Sequence, residues 1–124
     1  MMSFTEEKFD TPIFFNEYTK GLFKLNIGNF RNTLILSRES ILSSDNKIET
    51  INDISTEHLD LLLKTNPEII LIGTGKKQTL PPVEIMNYLA KYGKNLDFMD
   101  SNTACKTYNL LANENRSVGC IIII

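Results

Sequence analysis

The stretch EIILIGTGKKQTLPP, residues 68–82, decides how the rest of the chain is read. Its opening run, EIILI, is continuous and rich in β-branched side chains, the pattern of a strand covered on both faces inside a parallel sheet. GTGKKQTL follows as a loop. PPVEIMNYLAKYG then reads as a helix that tolerates proline in its first turn, buries Val83, Met86, Leu89 and Ala90, and stops at Gly93. NLDFM is a second strand. DSNTACKTYNLLANEN is a second helix, capped by Asp100 or Ser101, with Ala104, Tyr108, Leu111 and Ala112 facing inward. RSVGCIIII closes the chain as an apolar strand. Strand, helix, strand, helix, strand is the α/β layout, with a right-handed parallel crossover.

Working back from this unit, TEHLDLLLK is a helix with Ser55 as cap and Leu59, Leu62 and Leu63 on one face; Asn66 and Pro67 end it. His58, in its first turn among polar residues, reads as a solvated surface histidine. Between Phe14 and about Ser37 the chain alternates: GLFKLNI, a turn dipeptide at Gly28-Asn29, then FRNTLILS. Phe23, Leu25 and Ile27 share one side, with Leu22, Lys24 and Asn26 on the other. Residues 38–54 are polar and irregular, with at most a short strand near Ile48 to Ile51. The expected fold is one domain over residues 1–124. An antiparallel β meander at about 12–37 joins a βαβαβ unit at about 55–124, giving a three-layer α/β/α-type sandwich.

Composition narrows the function classes. Of 124 residues, 42% are hydrophobic and 23% charged, ordinary for a globular domain. A net charge of -2 and scattered Lys and Arg give no basic stripe, so the counterion release that drives nucleic-acid binding is missing and no nucleic acid is expected. MMSFTEEKFDTPIFF places acids where a signal peptide needs positive then apolar residues. The longest apolar runs, IILI and CIIII, fall far short of the roughly 20 residues that cross a bilayer. A cytoplasmic protein with no direct membrane insertion is the expectation. Cys105 and Cys120 form neither a zinc pattern nor a disulfide framework, and His58 is the single histidine, so no metal site and no cofactor are expected.

The loop after EIILI resembles a phosphate cradle and fails both standard patterns. Starting at Gly73, Gln78 occupies the second glycine position of a P-loop and the third of a dinucleotide-binding turn, and no Lys-Ser or Lys-Thr pair follows. Five residues and then two prolines separate Gly75 from the helix, so the helix N-terminus does not sit in the glycine motif. The glycines have a plainer use, to turn the chain at a buried strand end. If the two strands are neighbours, however, Gly73, Thr74, Gly75, Lys76, Asp100, Ser101 and Asn102 converge where ligands of open α/β sheets bind. Free N–H groups near Ser101, with Lys76 or Lys77, could then hold a small anion. Cys105, near a helix N-terminus, is a candidate nucleophile against the plainer reading of a buried packing residue. Asn109 suits a structural role, satisfying backbone groups nearby.

PEIILIGTG, the PP that opens a helix, and MDSNTACKTYNLLANENRSVGCIIII together closely resemble a family of small proteins of unknown biochemical function from bacteria and archaea. Mitochondrial relatives of that family include respiratory complex I assembly factor 3. The elements that carry the resemblance are Gly73-Thr74-Gly75, Pro81-Pro82, Met99-Asp100, Ala104-Cys105, Thr107-Tyr108-Asn109 and Glu114 with Arg116. Ser101 stands where the family usually has threonine, which keeps a hydroxyl. The resemblance implies a mixed central sheet with one antiparallel strand, and a non-enzymatic module that works with protein partners. It supplies no catalytic residues. The alternative left by the residues is a small-molecule or anion binder, or an enzyme, using the strand-end crevice with Asp100 as acid or base.

Overall fold

Leu34, Leu36, Leu71, Val118, Cys120 and Ile122 share one hydrophobic core, while Ile35, Ile70, Ile72, Ile121 and Ile123 share another. That period-two division places a sheet between two cores, because successive side chains of a strand point to opposite faces. The computed structural model describes residues 2–3 and 11–124, so the reading of the opening segment as lacking a signal peptide lies largely outside the described residues.

The chain begins with β1 (Met2–Ser3), β2 (Phe15–Thr19), β3 (Leu22–Leu25) and β4 (Gly28–Phe30), paired in that order as an antiparallel meander. It continues through β5 (Leu34–Ser37), β6 (Ile41–Ser43), α1 (Thr56–Leu63), β7 (Ile69–Gly73), α2 (Val83–Lys91), β8 (Asn95–Met99), α3 (Ser101–Asn113) and β9 (Val118–Ile122). The second sheet has the order β6-β5-β9-β7-β8. β7 is parallel to both β8 and β9, whereas β5 runs antiparallel to β9 and to β6. The sheet is therefore mixed, and the terminal CIIII run lies inside it, not at an edge.

α1 and α2 cover one face, with Leu59, Leu62, Ile85 and Leu89 in a single core with Ile48, Ile51 and Ile54. α3 covers the other face through Ala104, Cys105, Tyr108 and Ala112. The meander packs on the outside of α3, where Phe15 meets Phe23 and Tyr108 edge-on at centroid distances of 5.6 and 5.5 Å. The three-layer sandwich with an added meander agrees with the sequence reading.

Four local expectations are corrected. No strand forms near Ile48 to Ile51. The extra strand is β6, and Ile51–Asp53 is a 3-10 turn, because Asn46 and the Thr33 hydroxyl take up the backbone around Ile48. The turn between β3 and β4 is Asn26-Ile27, since Leu25 pairs with Gly28; the Asn26 side chain locks it to Phe14 and Pro12, leaving Ile27 52% exposed. α2 buries Ile85 and Leu89, one turn apart, while Val83 and Ala90 are exposed. His58 is half-buried, and its Nδ1 accepts the Ser55 N–H at 3.0 Å, so it helps close the start of α1.

Candidate functional site

β7 and β8 are neighbours, and the chain leaves them toward opposite faces of the sheet. β7 leads to α2 on one side and β8 to α3 on the other. That is a topological switch point, the place where open α/β sheets form ligand crevices.

Here the switch point itself is stitched shut. The Thr74 N–H donates to the Met99 carbonyl at 2.8 Å, and the Ser101 N–H to the Gly75 carbonyl at 2.8 Å. The Ser101 hydroxyl accepts the Gly75 N–H at 2.8 Å and donates to the Ile123 carbonyl at 2.5 Å. The Ile123 N–H in turn reaches the Gly73 carbonyl at 2.9 Å. Ser101, fully buried, thus ties three strand ends together and does not face a ligand. Gly73 is there for closeness: a Cβ would stand 3.0 Å from Ala104 Cβ, Ile122 Cγ2 and Ser101 Oγ. Thr74 pins the following loop, its hydroxyl 2.5 Å from the Lys77 carbonyl and accepting the Thr79 N–H at 3.0 Å. Gly75 turns with φ +98°, a conformation side chains resist.

The open space lies beside this seam, toward the meander. A cavity of about 630 Å³ is lined by Gly75, Lys76, Asp100 and Asn102 from the strand ends, joined by Tyr18, Thr19, Lys20 and Gly21 of the first hairpin, with Arg31 and Ile124. Four of the nine expected residues therefore meet in one crevice. Gly73, Thr74 and Ser101 support it from behind, and Cys105 and Asn109 lie in the core. The hairpin residues and Arg31 escaped the sequence reading. Thr19-Lys20-Gly21 between alternating segments was a readable turn signal, but nothing local says that this turn faces the end of a strand far along the chain.

The chemistry of each group follows from its surroundings. Asp100 caps α3, accepting the Thr103 N–H at 2.9 Å and the Thr103 hydroxyl at 2.7 Å. Partial burial works to raise its carboxyl, and these hydrogen bonds more than offset that, holding it below the usual carboxylate range. A carboxylate so held is a poor proton donor near neutral pH. Burial drives the Cys105 thiol well up, and the neighbouring Cys120 and Asp100 charges add to it. A buried thiol in that state is no nucleophile. Asn109 accepts the Phe15 N–H with Oδ1 and donates Nδ2 to the Phe15 carbonyl, both at 2.9 Å, while the Tyr108 hydroxyl donates to the Ile13 carbonyl at 2.9 Å. These bonds dock the meander on α3. Tyr18 stacks on Phe23 at 4.9 Å, and burial, with smaller contributions from the Cys105 and Asp100 charges, raises its phenol.

Among the described residues no group of His, Cys, Asp and Glu could hold a metal ion, and no helix is long and apolar enough to cross a membrane. Residues 15–123 match the family described as "Protein of unknown function (DUF498/DUF598)". The chain belongs to this family. Within the DUF498/DUF598 group it is similar to the "13 kDa major membrane protein" of Francisella tularensis, 62% identical over 99% of this chain and 100% of that protein. It also resembles NADH dehydrogenase [ubiquinone] 1 alpha subcomplex assembly factor 3 of Drosophila melanogaster, 31% identical over 61% of this chain and 41% of that protein. A crystal structure of a Bordetella parapertussis protein has the same fold, with a TM-score of 0.81, 25% identity, and coverage of 91% of this chain and 96% of that one. This chain spans less than half of that assembly factor's length.

Proposed function

We propose that this protein is a non-enzymatic, protein-binding module of the assembly type, working in the cytoplasm and reaching a membrane complex through a protein partner. The similarity to assembly factor 3 carries this reading. Two features support it: the one candidate nucleophile, Cys105, is sealed in the core, and the one candidate acid, Asp100, is committed to capping a helix. The Francisella relative is described as a membrane protein, and this chain has no membrane-spanning helix among its described residues; the two together fit attachment through a partner. The test is gentle detergent extraction of the native cells, followed by size-exclusion chromatography with detection of this chain. Elution in a defined complex at fixed stoichiometry is expected; elution at the monomer mass from both membrane and soluble fractions refutes the module.

A second reading, a binder of a small anionic molecule, is favoured by one observation: the crevice is a real cavity with Lys20, Arg31 and Lys76 around it. Amide-shift titration of the purified chain with phosphate and carboxylates tests it, and silence at Gly75 and Lys76 removes it.

A further inference from the structure

We propose that the crevice between the first hairpin and the end of β7 takes an amphipathic anion, an apolar chain or ring carrying a single carboxylate or phosphate monoester. This rests on the second reading above and narrows it to a ligand class.

Size is the first reason. Small-molecule sites occupy roughly 300–1,000 Å³, and this cavity measures about 630 Å³. A water takes about 30 Å³, so a bare phosphate or carboxylate ion would leave most of the space to solvent. The walls are the second reason. Tyr18 lies in the lining with its ring held by stacking on Phe23, and Ile124 adds an aliphatic surface. The long side chains of lysine and arginine lay apolar stems along such surfaces while their heads stay polar.

Charge is the third. Lys20, Arg31 and Lys76 come from three separate connections: the β2–β3 turn, the β4–β5 link and the β7–α2 loop. None has an ion-pair partner among the described residues, although Lys24, Arg38 and Arg116 each do. These three exposed cations give the rim of the crevice a positive surplus that attracts an anion. Asp100, the acidic side chain in the lining, accepts two hydrogen bonds from Thr103 and keeps its charge, so the lining holds three cations against one carboxylate. Asn102, also in the lining, carries a side-chain amide whose Nδ2 N–H groups can donate to an anion.

The fold also explains why the site is assembled from distant parts. The meander supplies Lys20 and Tyr18, and Asn109 and Tyr108 hold that meander in place from α3. The crevice therefore exists only in the docked protein.

The experiment follows amide shifts of the ¹⁵N-labelled full chain during titration with octanoate, octyl phosphate, 1-octanol, octylamine and inorganic phosphate. Octanoate or octyl phosphate is expected to move Lys20, Gly21, Gly75, Lys76 and Asn102 saturably, at least tenfold more tightly than octanol, octylamine or phosphate. Whichever of the two binds more tightly identifies the acid group. Arg31→Gln with Lys76→Gln should weaken that binding at least tenfold while the remaining spectrum stays that of the folded protein; Lys91→Gln, on exposed α2, should leave it unchanged. Octanol binding as well as octanoate overturns the role of the cations. Phosphate binding as tightly at the same amides overturns the amphipathic ligand while the anion reading survives. No saturable shift with any compound overturns both.

Discussion

Ser101→Ala removes one oxygen atom and leaves two backbone groups without their partner. The Ser101 hydroxyl accepts the Gly75 N–H at 2.8 Å and donates to the Ile123 carbonyl at 2.5 Å, in a side chain with no solvent exposure. A buried polar group left unsatisfied costs about 1–3 kcal/mol. Ile123 is 2% exposed, so its carbonyl has no water to turn to and sits at the upper end of that range. Gly75 is half-buried, so its N–H can recruit solvent and falls at the lower end. The sum is about 2–4 kcal/mol. For 124 residues, an unfolding entropy of about 2.1 cal/mol/K per residue converts this to a fall in Tm of about 8–15 °C. Thermal and urea unfolding by circular dichroism would measure it, with the urea slope unchanged if only the native state is weakened. Ser101→Thr, which keeps the hydroxyl, should recover more than half of the loss. A Tm drop of less than about 4 °C for Ser101→Ala refutes the stitched seam, since it corresponds to about 1 kcal/mol, the cost of a single neutral hydrogen bond.

Three further outcomes follow from the same geometry. Asn109→Ala strips the partner from both the N–H and the carbonyl of Phe15, and should cost about 2–4 kcal/mol. Amide exchange should then quicken in β2 and β3 well before β7, and a uniform increase across the chain would contradict the docking role. Gly73→Ala forces a Cβ to 3.0 Å from three packed atoms, an overpacking of about 1–3 kcal/mol. Gly119→Ala meets Leu62 Cδ2 at 3.1 Å and the Pro67 ring at 3.3 and 3.4 Å, looser contacts than the three at Gly73, and should cost less; equal urea midpoints for the two would count against this ranking. The third concerns pH. Burial raises the folded-state pKa of the Cys105 and Cys120 thiols above their unfolded value, so the stability they confer is intact below about pH 8.5 and declines as pH rises beyond it. Tyr18 and Tyr108, raised mainly by burial, extend the decline above about pH 10. Urea midpoints should hold between pH 6 and 8 and fall thereafter, and iodoacetamide should leave both thiols untouched in the folded protein at neutral pH. Rapid labelling of Cys105 there would restore it as a reactive group.

Local order was legible in the sequence wherever one element's own pattern specified it. The unbroken EIILI and CIIII runs read as covered strands because both of their faces are buried, and β7 and β9 each have a strand on either side in the sheet. Asp100 or Ser101 read as the cap of α3, and it is Asp100 that accepts the Thr103 N–H; Gly93 read as a helix stop and has φ +70°. The loop at Gly73 failed as a phosphate motif by spacing alone. Tertiary structure decided everything that needed two distant segments at once. It turned Ser101 inward to tie three strand ends, sealed Cys105 in the core, sent Asn109 into the contact with the meander, and brought Tyr18, Lys20 and Arg31 to the crevice. A helix or strand signal depends on neighbours a few residues away, so composition and period reveal it. A cavity wall depends on which faces dock, and docking is settled by packing and hydrogen bonds between residues far apart in the chain, such as Asn109 and Phe15.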